Sequence, residues 1–300
     1  MNSPDSVFDY EMPLPADKFS KLEPKLLGLE ERYEKVHLQL RLLLKLDELP
    51  TWSKQKYGGA VVPLCELIAD QYPLVIFHGD VGTGKTVAAE CIANRLVKEA
   101  KAEDSILFKL SNRVRGTGKV GEMGTLILEA FKRITTSAGK ARRAILILDE
   151  GDSIGASRTQ EHSHHEDKVA VNTLIQCIDN LRNFGGRVLV ILCTNRLSVL
   201  DAALHRRAAL VEEFNRPQEA ERRALLEADL AGLGITQDQI EQLVKLTGES
   251  ETAPGWTYSD FRSRLYPAAL SRAFPDREVR FEDLHLAAKS LKPTPVLEDN

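Results

Sequence analysis

Two hydrophobic patterns alternate through the middle of this chain. Leu74-Val75-Ile76-Phe77, Ala144-Ile145-Leu146-Ile147-Leu148 and Val188-Leu189-Val190-Ile191-Leu192 are continuous apolar runs of strand length. Such runs mark strands covered on both faces. Ile106-Leu107-Phe108-Lys109-Leu110 is a short run of strand type, interrupted by Lys109. Helix-forming stretches separate them: Val87 to Ala93, about Gly124 to Ile134, and Glu166 to Leu181. This alternation predicts a parallel sheet covered by helices. Upstream, Tyr33, Val36, Leu40, Leu43, Leu44 and Leu46 fall at helical spacing and predict an amphipathic helix over 30–46. Beyond Pro217 the strand signals fade and helical ones take over at 218–230, 238–246, 258–273 and 281–291. Thr236 with Gln239 three residues on has the spelling of a capping box. The division expected is a flexible leader over 1–22, where Pro4, Pro13 and Pro15 lie among acidic and small residues, an α/β domain over 23–216, and an all-helical domain over 217–300.

Composition narrows the class only a little. With 300 residues, 43% apolar and 28% charged, the chain can build one large domain and a smaller one. A net charge of −4 and a pI near 6.0 give no overall pull toward nucleic acid or anionic membranes. Cys65, Cys91, Cys177 and Cys193 are widely spaced and read as buried reduced thiols. The first residues carry Asp5, Asp9 and Glu11 where a signal peptide has basic residues, and no apolar run reaches membrane-spanning length. A soluble cytoplasmic protein with no membrane partner is expected.

The chemistry concentrates after the first apolar run. Gly79-Asp80-Val81-Gly82-Thr83-Gly84-Lys85-Thr86 fits G-x-x-x-x-G-K-[ST] at every fixed position, between a predicted strand and a predicted helix opened by Val87. Glycines let successive backbone N–H groups face phosphate oxygens, and the helix N-terminus adds positive potential. Lys85 can reach β- and γ-phosphates, and Thr86 offers a hydroxyl to Mg²⁺. The pattern therefore predicts a nucleoside triphosphate site. Asp149-Glu150 ends the apolar run 144–148, where strand ends open onto ligand in α/β sheets. There Asp149 can hold Mg²⁺ through water, and Glu150 can polarise the water that attacks the γ-phosphate. Asn195, ending the next strand, can orient that water or simply terminate the strand. Arg206-Arg207 reads either as a solvated basic helix end or as an arginine supplied to a neighbouring subunit.

Taken together, Gly79–Thr86, Leu148-Asp149-Glu150, Cys193-Thr194-Asn195-Arg196 and Leu200-Asp201-Ala202-Ala203-Leu204-His205-Arg206-Arg207 resemble the AAA+ ATPases over residues 25 to 292. The resemblance implies a P-loop fold with a five-stranded parallel sheet flanked by helices, a helical lid, and a homo-hexameric ring that hydrolyses ATP with Mg²⁺. It makes Asn195 the sensor-1 residue and Arg206 or Arg207 the arginine finger. In Thr257-Tyr258-Ser259-Asp260-Phe261 the place of the second-sensor arginine falls on Asp260, with Arg262 nearby. Gly118-Lys119-Val120-Gly121-Glu122-Met123 resembles the substrate-gripping pore loop, with Lys119 where an aromatic usually precedes Val120 and Gly121. Ser157 to Lys168, with His162, His164 and His165, lacks a recognisable zinc-site spacing and reads as a second pore loop.

Within that family the closest resemblance is to the pachytene-checkpoint type, which remodels HORMA-domain proteins. It is carried by Glu166 to Asp179, by Gly124-Thr125-Leu126-Ile127, and by Tyr33-Glu34-Lys35-Val36-His37. The short leader resembles the bacterial branch associated with cyclic-oligonucleotide anti-phage signalling. That implies a HORMA-domain substrate opened through the pore, and a nucleotidyltransferase switched off as a result. A protease- or membrane-associated unfoldase and a DNA-loading ATPase are the alternatives. Against the first stand the missing H-E-x-x-H and membrane anchor; against the second, the acidic pI and the lack of an aromatic-studded basic stretch. On the pore-loop reading, Val120→Ala or Lys119→Ala leaves basal ATP hydrolysis intact and abolishes work on the protein substrate. Parallel assays of phosphate release and substrate conversion check this, and equal loss of both activities would remove these residues from the pore.

Overall fold

The computed structural model describes residues 7–102, 104–111, 114, 121–156 and 165–297. Along the chain these form β1 (Phe8–Leu14), α1 (Asp17–Leu22), α2 (Leu29–Leu44), α3 (Leu49–Lys56), α4 (Pro63–Ala69), β2 (Leu74–His78), α5 (Lys85–Glu99) and β3 (Ser105–Leu110). Then come α6 (Glu122–Ala138), β4 (Arg143–Leu148), α7 (Gly151–Ile154), α8 (His165–Leu181), β5 (Val188–Thr194), α9 (Ala202–Arg207) and β6 (Ala208–Glu213). The rest is helical: α10 (Glu219–Asp229), α11 (Gln237–Leu246), α12 (Tyr258–Asp260), α13 (Tyr266–Ala273) and α14 (Phe281–Ser290). The chain divides into two compact units. One holds the residues up to Lys25 with Leu29–His78 and Thr86–Glu213; the other holds Leu26–Gly28, Gly79–Lys85 and everything from Phe214 onward.

The first unit is built on a sheet of strand order β1-β3-β4-β5-β2-β6 among the described residues. Every residue of β4 and β5 is buried, as their unbroken apolar runs predict for strands sandwiched between helices. The parallel register places Leu148 beside Leu192 and His78 beside Thr194, so β2, β4 and β5 end along one edge. On α6, Met123, Ile127, Ala130, Phe131, Ile134 and Ala138 recur every three or four residues and pack into the core with Leu146, Val190 and Ile178. The four cysteines are free and buried; burial pushes the Cys91 thiol up to about 12 and the Cys177 thiol up to about 11.

Two differences from the sequence reading stand out here. The parallel strands number five, but β1 adds a sixth, pairing antiparallel with β3. The leader expected to be flexible is therefore ordered from residue 8 into β1 and α1. Pro13 and the acidic residues had argued against a strand, yet Pro13 sits on an outer strand, where a missing N–H is tolerated. The segment then runs along α5 and is tied to it: Asn94, fully buried, accepts from the Ala16 amide at 2.7 Å and donates to Ser20 Oγ at 3.2 Å. Lys98 also reaches Ser20 Oγ at 2.6 Å, and Tyr33 on α2 donates to Glu99 at 2.5 Å.

The second unit packs α10, α11, α13 and α14 around Leu226, Leu243, Trp256, Phe261, Leu265 and Leu284. The capping box is present: the Gln239 amide donates to Thr236 Oγ1 at 3.3 Å and the Thr236 amide to Gln239 Oε1 at 3.0 Å. The helix expected over 258–273 is interrupted by a π turn at Phe261–Leu265. Pro267 explains it, because a proline removes one helical donor and crowds the carbonyl four residues back.

Asn94→Ala leaves the Ala16 amide without its acceptor. It is expected to lower unfolding stability by about 1–3 kcal/mol. Urea denaturation measures this, and a change below about 0.5 kcal/mol would show that the leader is not held through Asn94.

Candidate nucleotide site

In the second unit the phosphate-loop sequence folds as a tight turn. Gly79, Gly82 and Gly84 all take positive φ. At Gly79 (φ +140°) a Cβ would stand 2.2 Å from the Phe214 carbonyl oxygen, so no other residue fits there. Lys85 is buried, and its Nζ donates to the Gly79 and Asp80 carbonyls at 2.8 Å each. Thr83 Oγ1 donates to the Asp80 carbonyl at 2.8 Å, while Val81 is exposed at the tip. The loop has a partner the sequence reading missed: Arg216 Nε donates to Asp80 Oδ2 at 2.7 Å. The same guanidinium donates from Nη1 to the Gly255 and Thr294 carbonyls at 2.7 and 2.8 Å. Directly after the loop, α5 begins at Lys85, with Thr86 and Val87 half-buried in its first turn. A helix N-terminus with its unpaired N–H groups is suited to phosphate.

In the first unit, Thr86 and Asp149 come together. Thr86 Oγ1 donates to Asp149 Oδ1 at 2.9 Å, and the Glu150 amide donates to the same oxygen at 3.0 Å. A hydroxyl and a carboxylate side by side form the hard-oxygen set that Mg²⁺ accepts when phosphate oxygens and waters complete its shell. Among the described residues no group of three or more His, Cys, Asp or Glu side chains is placed to hold a metal by itself. These two residues fit Mg²⁺ only as partners of a bound nucleotide. Asp149 Oδ2 faces Lys109 Nζ at 3.5 Å, a neighbour that sequence reasoning did not single out.

Glu150 is exposed and takes a left-handed backbone (φ 51°, ψ 48°), an uncommon conformation for a residue with a side chain. The cause is local. Gly151 lies so close to β5 that a Cβ there would meet Leu192 Cδ2 at 2.4 Å, so the chain must turn sharply as it leaves β4. Asp152 continues this turn and accepts from Thr194 Oγ1 at 3.1 Å and from the Asn195 amide at 3.4 Å. Asp152 thus pins Asn195 at the end of β5; nothing in the sequence distinguished it from a solvated aspartate.

The two candidate arginines at the end of α9 differ sharply. Arg207 donates to both oxygens of Asp179 and, from Nη1, to the Ala203 carbonyl at 3.1 Å, and it lies 5.3 Å from the Tyr72 ring centroid. The hydrogen bonds to Asp179, against the cost of partial burial, push its pKa above the usual guanidinium range. Arg206 is exposed, with no hydrogen bond or ion pair among the described residues.

Asp260 and Arg262 have local partners in the second unit. Asp260 is buried and accepts from the Thr257 amide at 2.9 Å, Thr294 Oγ1 at 2.7 Å and Arg264 Nη1 at 2.9 Å. Burial pushes its carboxyl pKa up, but these donors outweigh that and hold it below the usual range. Arg262 pairs with Asp229 at 3.1 and 3.2 Å. Of the pore-loop residues, Gly121 caps α6 with φ +83°, whereas Lys119, Val120, His162 and His164 lie outside the described residues.

Comparisons with known proteins bear on the family and the fold. Residues 75–216 match the model of the ATPase family associated with various cellular activities (AAA). CD-NTase-associated protein 6 of Escherichia coli (strain KTE188) is 64% identical over 297 residues, covering 99% of both chains. A chain in the solved E. coli MS115-1 HORMA:CdnC:Trip13 complex superposes with a TM-score of 0.88 at 34% identity, covering 99% of both chains. The structure of Rhizobiales Trip13 superposes with a TM-score of 0.70 at 31% identity, over 96% of this chain and 99% of the other. With its phosphate loop, its Asp149-Glu150 strand end and a relative alike along nearly its whole length, the chain belongs to the AAA family of ATPases, in the branch that includes CD-NTase-associated protein 6.

Proposed function

We propose that this ATPase works as a homo-hexamer that engages a HORMA-domain protein through its central pore and converts or disassembles its closed complex. On this reading it is a negative regulator of anti-phage signalling by a nucleotidyltransferase, in the bacterial cytoplasm. One observation carries the reading: the chain matches, over 99% of both lengths, a chain of a complex named for HORMA, CdnC and Trip13. The name of the 64% identical relative, a CD-NTase-associated protein, supports the nucleotidyltransferase connection. No helix among the described residues is long and apolar enough to cross a membrane.

The residues divide the work as follows. Backbone N–H groups of Gly79 to Gly84 and the first turn of α5 bind the phosphates, and Lys85 exchanges its loop carbonyls for β- and γ-phosphate oxygens. Thr86 and Asp149 hold Mg²⁺, which when bound neutralises charge on the phosphates. Glu150 draws the proton of the attacking water, and Asn195, fixed by Asp152, orients that water. Arg206 is the residue offered to the neighbouring subunit's γ-phosphate, because Arg207 is already committed to Asp179.

Arg206→Ala is therefore expected to lower the turnover number by about 10³-fold while ATP binding persists. Arg207→Ala is expected instead to cost about 1 kcal/mol of stability, since its ion pair is partly exposed, with turnover retained by the folded fraction. Steady-state hydrolysis beside thermal unfolding separates the two, and normal turnover in Arg206→Ala would remove it from the site.

The substrate is tested with Glu150→Gln, which binds ATP and stalls before hydrolysis. Affinity purification of this variant from its host with ATP, against Lys85→Ala as the non-binding control, is expected to enrich a HORMA-domain protein only in the stalled form. Recovery of DNA or of a peptidase in its place would overturn the remodeller reading.

A further inference from the structure

We propose that Lys109 is the resident counter-ion of the Asp149 carboxylate, and that Tyr10, on the strand added at the sheet edge, assigns it to that task. The inference rests on the reading of Asp149 as the carboxylate that serves magnesium. Lys109 and Asp149 share a sheet face: Lys109 pairs with Ile147 across β3 and β4, and Asp149 lies two residues beyond Ile147. Lys109 Nζ stands between two carboxylates, 3.5 Å from Asp149 Oδ2 and 3.8 Å from Glu90 Oε1. Its side chain is only 20% exposed and that of Glu90 10%, so water screens these charges weakly.

Tyr10 decides how the cation is shared. Its hydroxyl donates to Glu90 Oε1 at 2.5 Å, the same oxygen that faces Lys109. Burial and the Glu90 hydrogen bond keep this phenol protonated far above the usual tyrosine range, so it remains a donor at any working pH. With Glu90 Oε1 engaged by Tyr10, Lys109 is left to Asp149. The backbone is arranged for this contact. The β1–β3 register slips between Phe8 and Tyr10, leaving Asp9 as an extra residue and bringing Tyr10 directly opposite Lys109. A bulge of this kind re-aims a side chain, and bulges are over-represented beside active sites.

A fixed positive charge on Asp149 competes with a divalent cation for the same carboxylate. Asp149 Oδ1 stays turned to Thr86 while Oδ2 is neutralised, so the site draws Mg²⁺ less strongly than bare carboxylates would. Removing the charge should tighten Mg²⁺ binding. Removing the Tyr10 hydroxyl should do so to a smaller extent, because Glu90 then pulls Lys109 away from Asp149.

The test is a Mg²⁺ titration of the binding of a fluorescent, non-hydrolysable ATP analogue to the 300-residue chain, with thermal unfolding run alongside. Lys109→Met is expected to lower the half-maximal Mg²⁺ concentration by about threefold or more, and Lys109→Arg to keep the wild-type value. Tyr10→Phe is expected to shift it in the same direction by less, and Tyr10→Phe with Lys109→Met to match Lys109→Met alone. An unchanged or raised half-point in Lys109→Met overturns the inference, as does a Tyr10→Phe shift that persists once Lys109 is gone. If Lys109→Met does not fold, Tyr10→Phe decides, and an unmoved half-point there overturns it. Asp149→Asn separates the two readings. If it leaves the Mg²⁺ dependence untouched, the metal role of Asp149 falls and the counter-ion falls with it. If it raises the half-point while Lys109→Met moves nothing, only the counter-ion assignment fails.

Discussion

The parallel pairing of three fully covered strands governs what the rest of the molecule can do. β2, β4 and β5 are buried along nearly their whole length, so a slip in register would draw the polar residues that flank each apolar run into the core. That fixed register brings His78, Leu148 and Thr194 to one edge, and the residues that follow each strand inherit its position. Asp149, Glu150 and Asn195, the residues on which the proposed chemistry rests, stand together because of where β4 and β5 stop. The sharp turn at Glu150 follows from the same packing, since Leu192 occupies the space a side chain at position 151 would need.

The helix after the phosphate loop is held from a second direction. Along α5, Glu90, Asn94, Lys98 and Glu99 each meet a residue from the first 33 positions of the chain. Arg95 adds ion pairs to Glu23 and Glu30 and lies 4.1 Å from the Tyr33 ring centroid. The hydrogen bond and charge of Glu30, with Glu99, push the Arg95 pKa up against the partial burial that opposes it. The helix that follows the phosphate loop is thus fixed by polar contacts as well as by apolar packing, and satisfied polar contacts specify one arrangement.

How much of this was legible depends on how local the signal is. The phosphate loop, the three continuous apolar runs, the C-terminal helices and the Thr236 cap could be read directly, because each is set by neighbours a few residues apart. β1 and β6 could not. Both are edge strands with mixed faces, β1 carrying Pro13 and acidic residues and β6 following α9 with no turn between them. Arg206 and Arg207 looked equivalent in the sequence and separate only when Asp179, 28 positions away, captures one of them. Lys109, Asp152 and Arg216 stayed invisible for the same reason: each acts on a residue distant in the chain.

The sheet's two borders bear on which strands could add to it. An open border offers unpaired N–H and C=O groups to any passing strand, and proteins commonly blunt it with charge or proline. Here β1 seals β3 and itself presents exposed Asp9 and Pro13 at the rim, while the far side ends in Glu212 and Glu213 of β6. The residues that made the first strand hard to recognise, Asp9 and Pro13, also make its outer edge a poor template for a further strand.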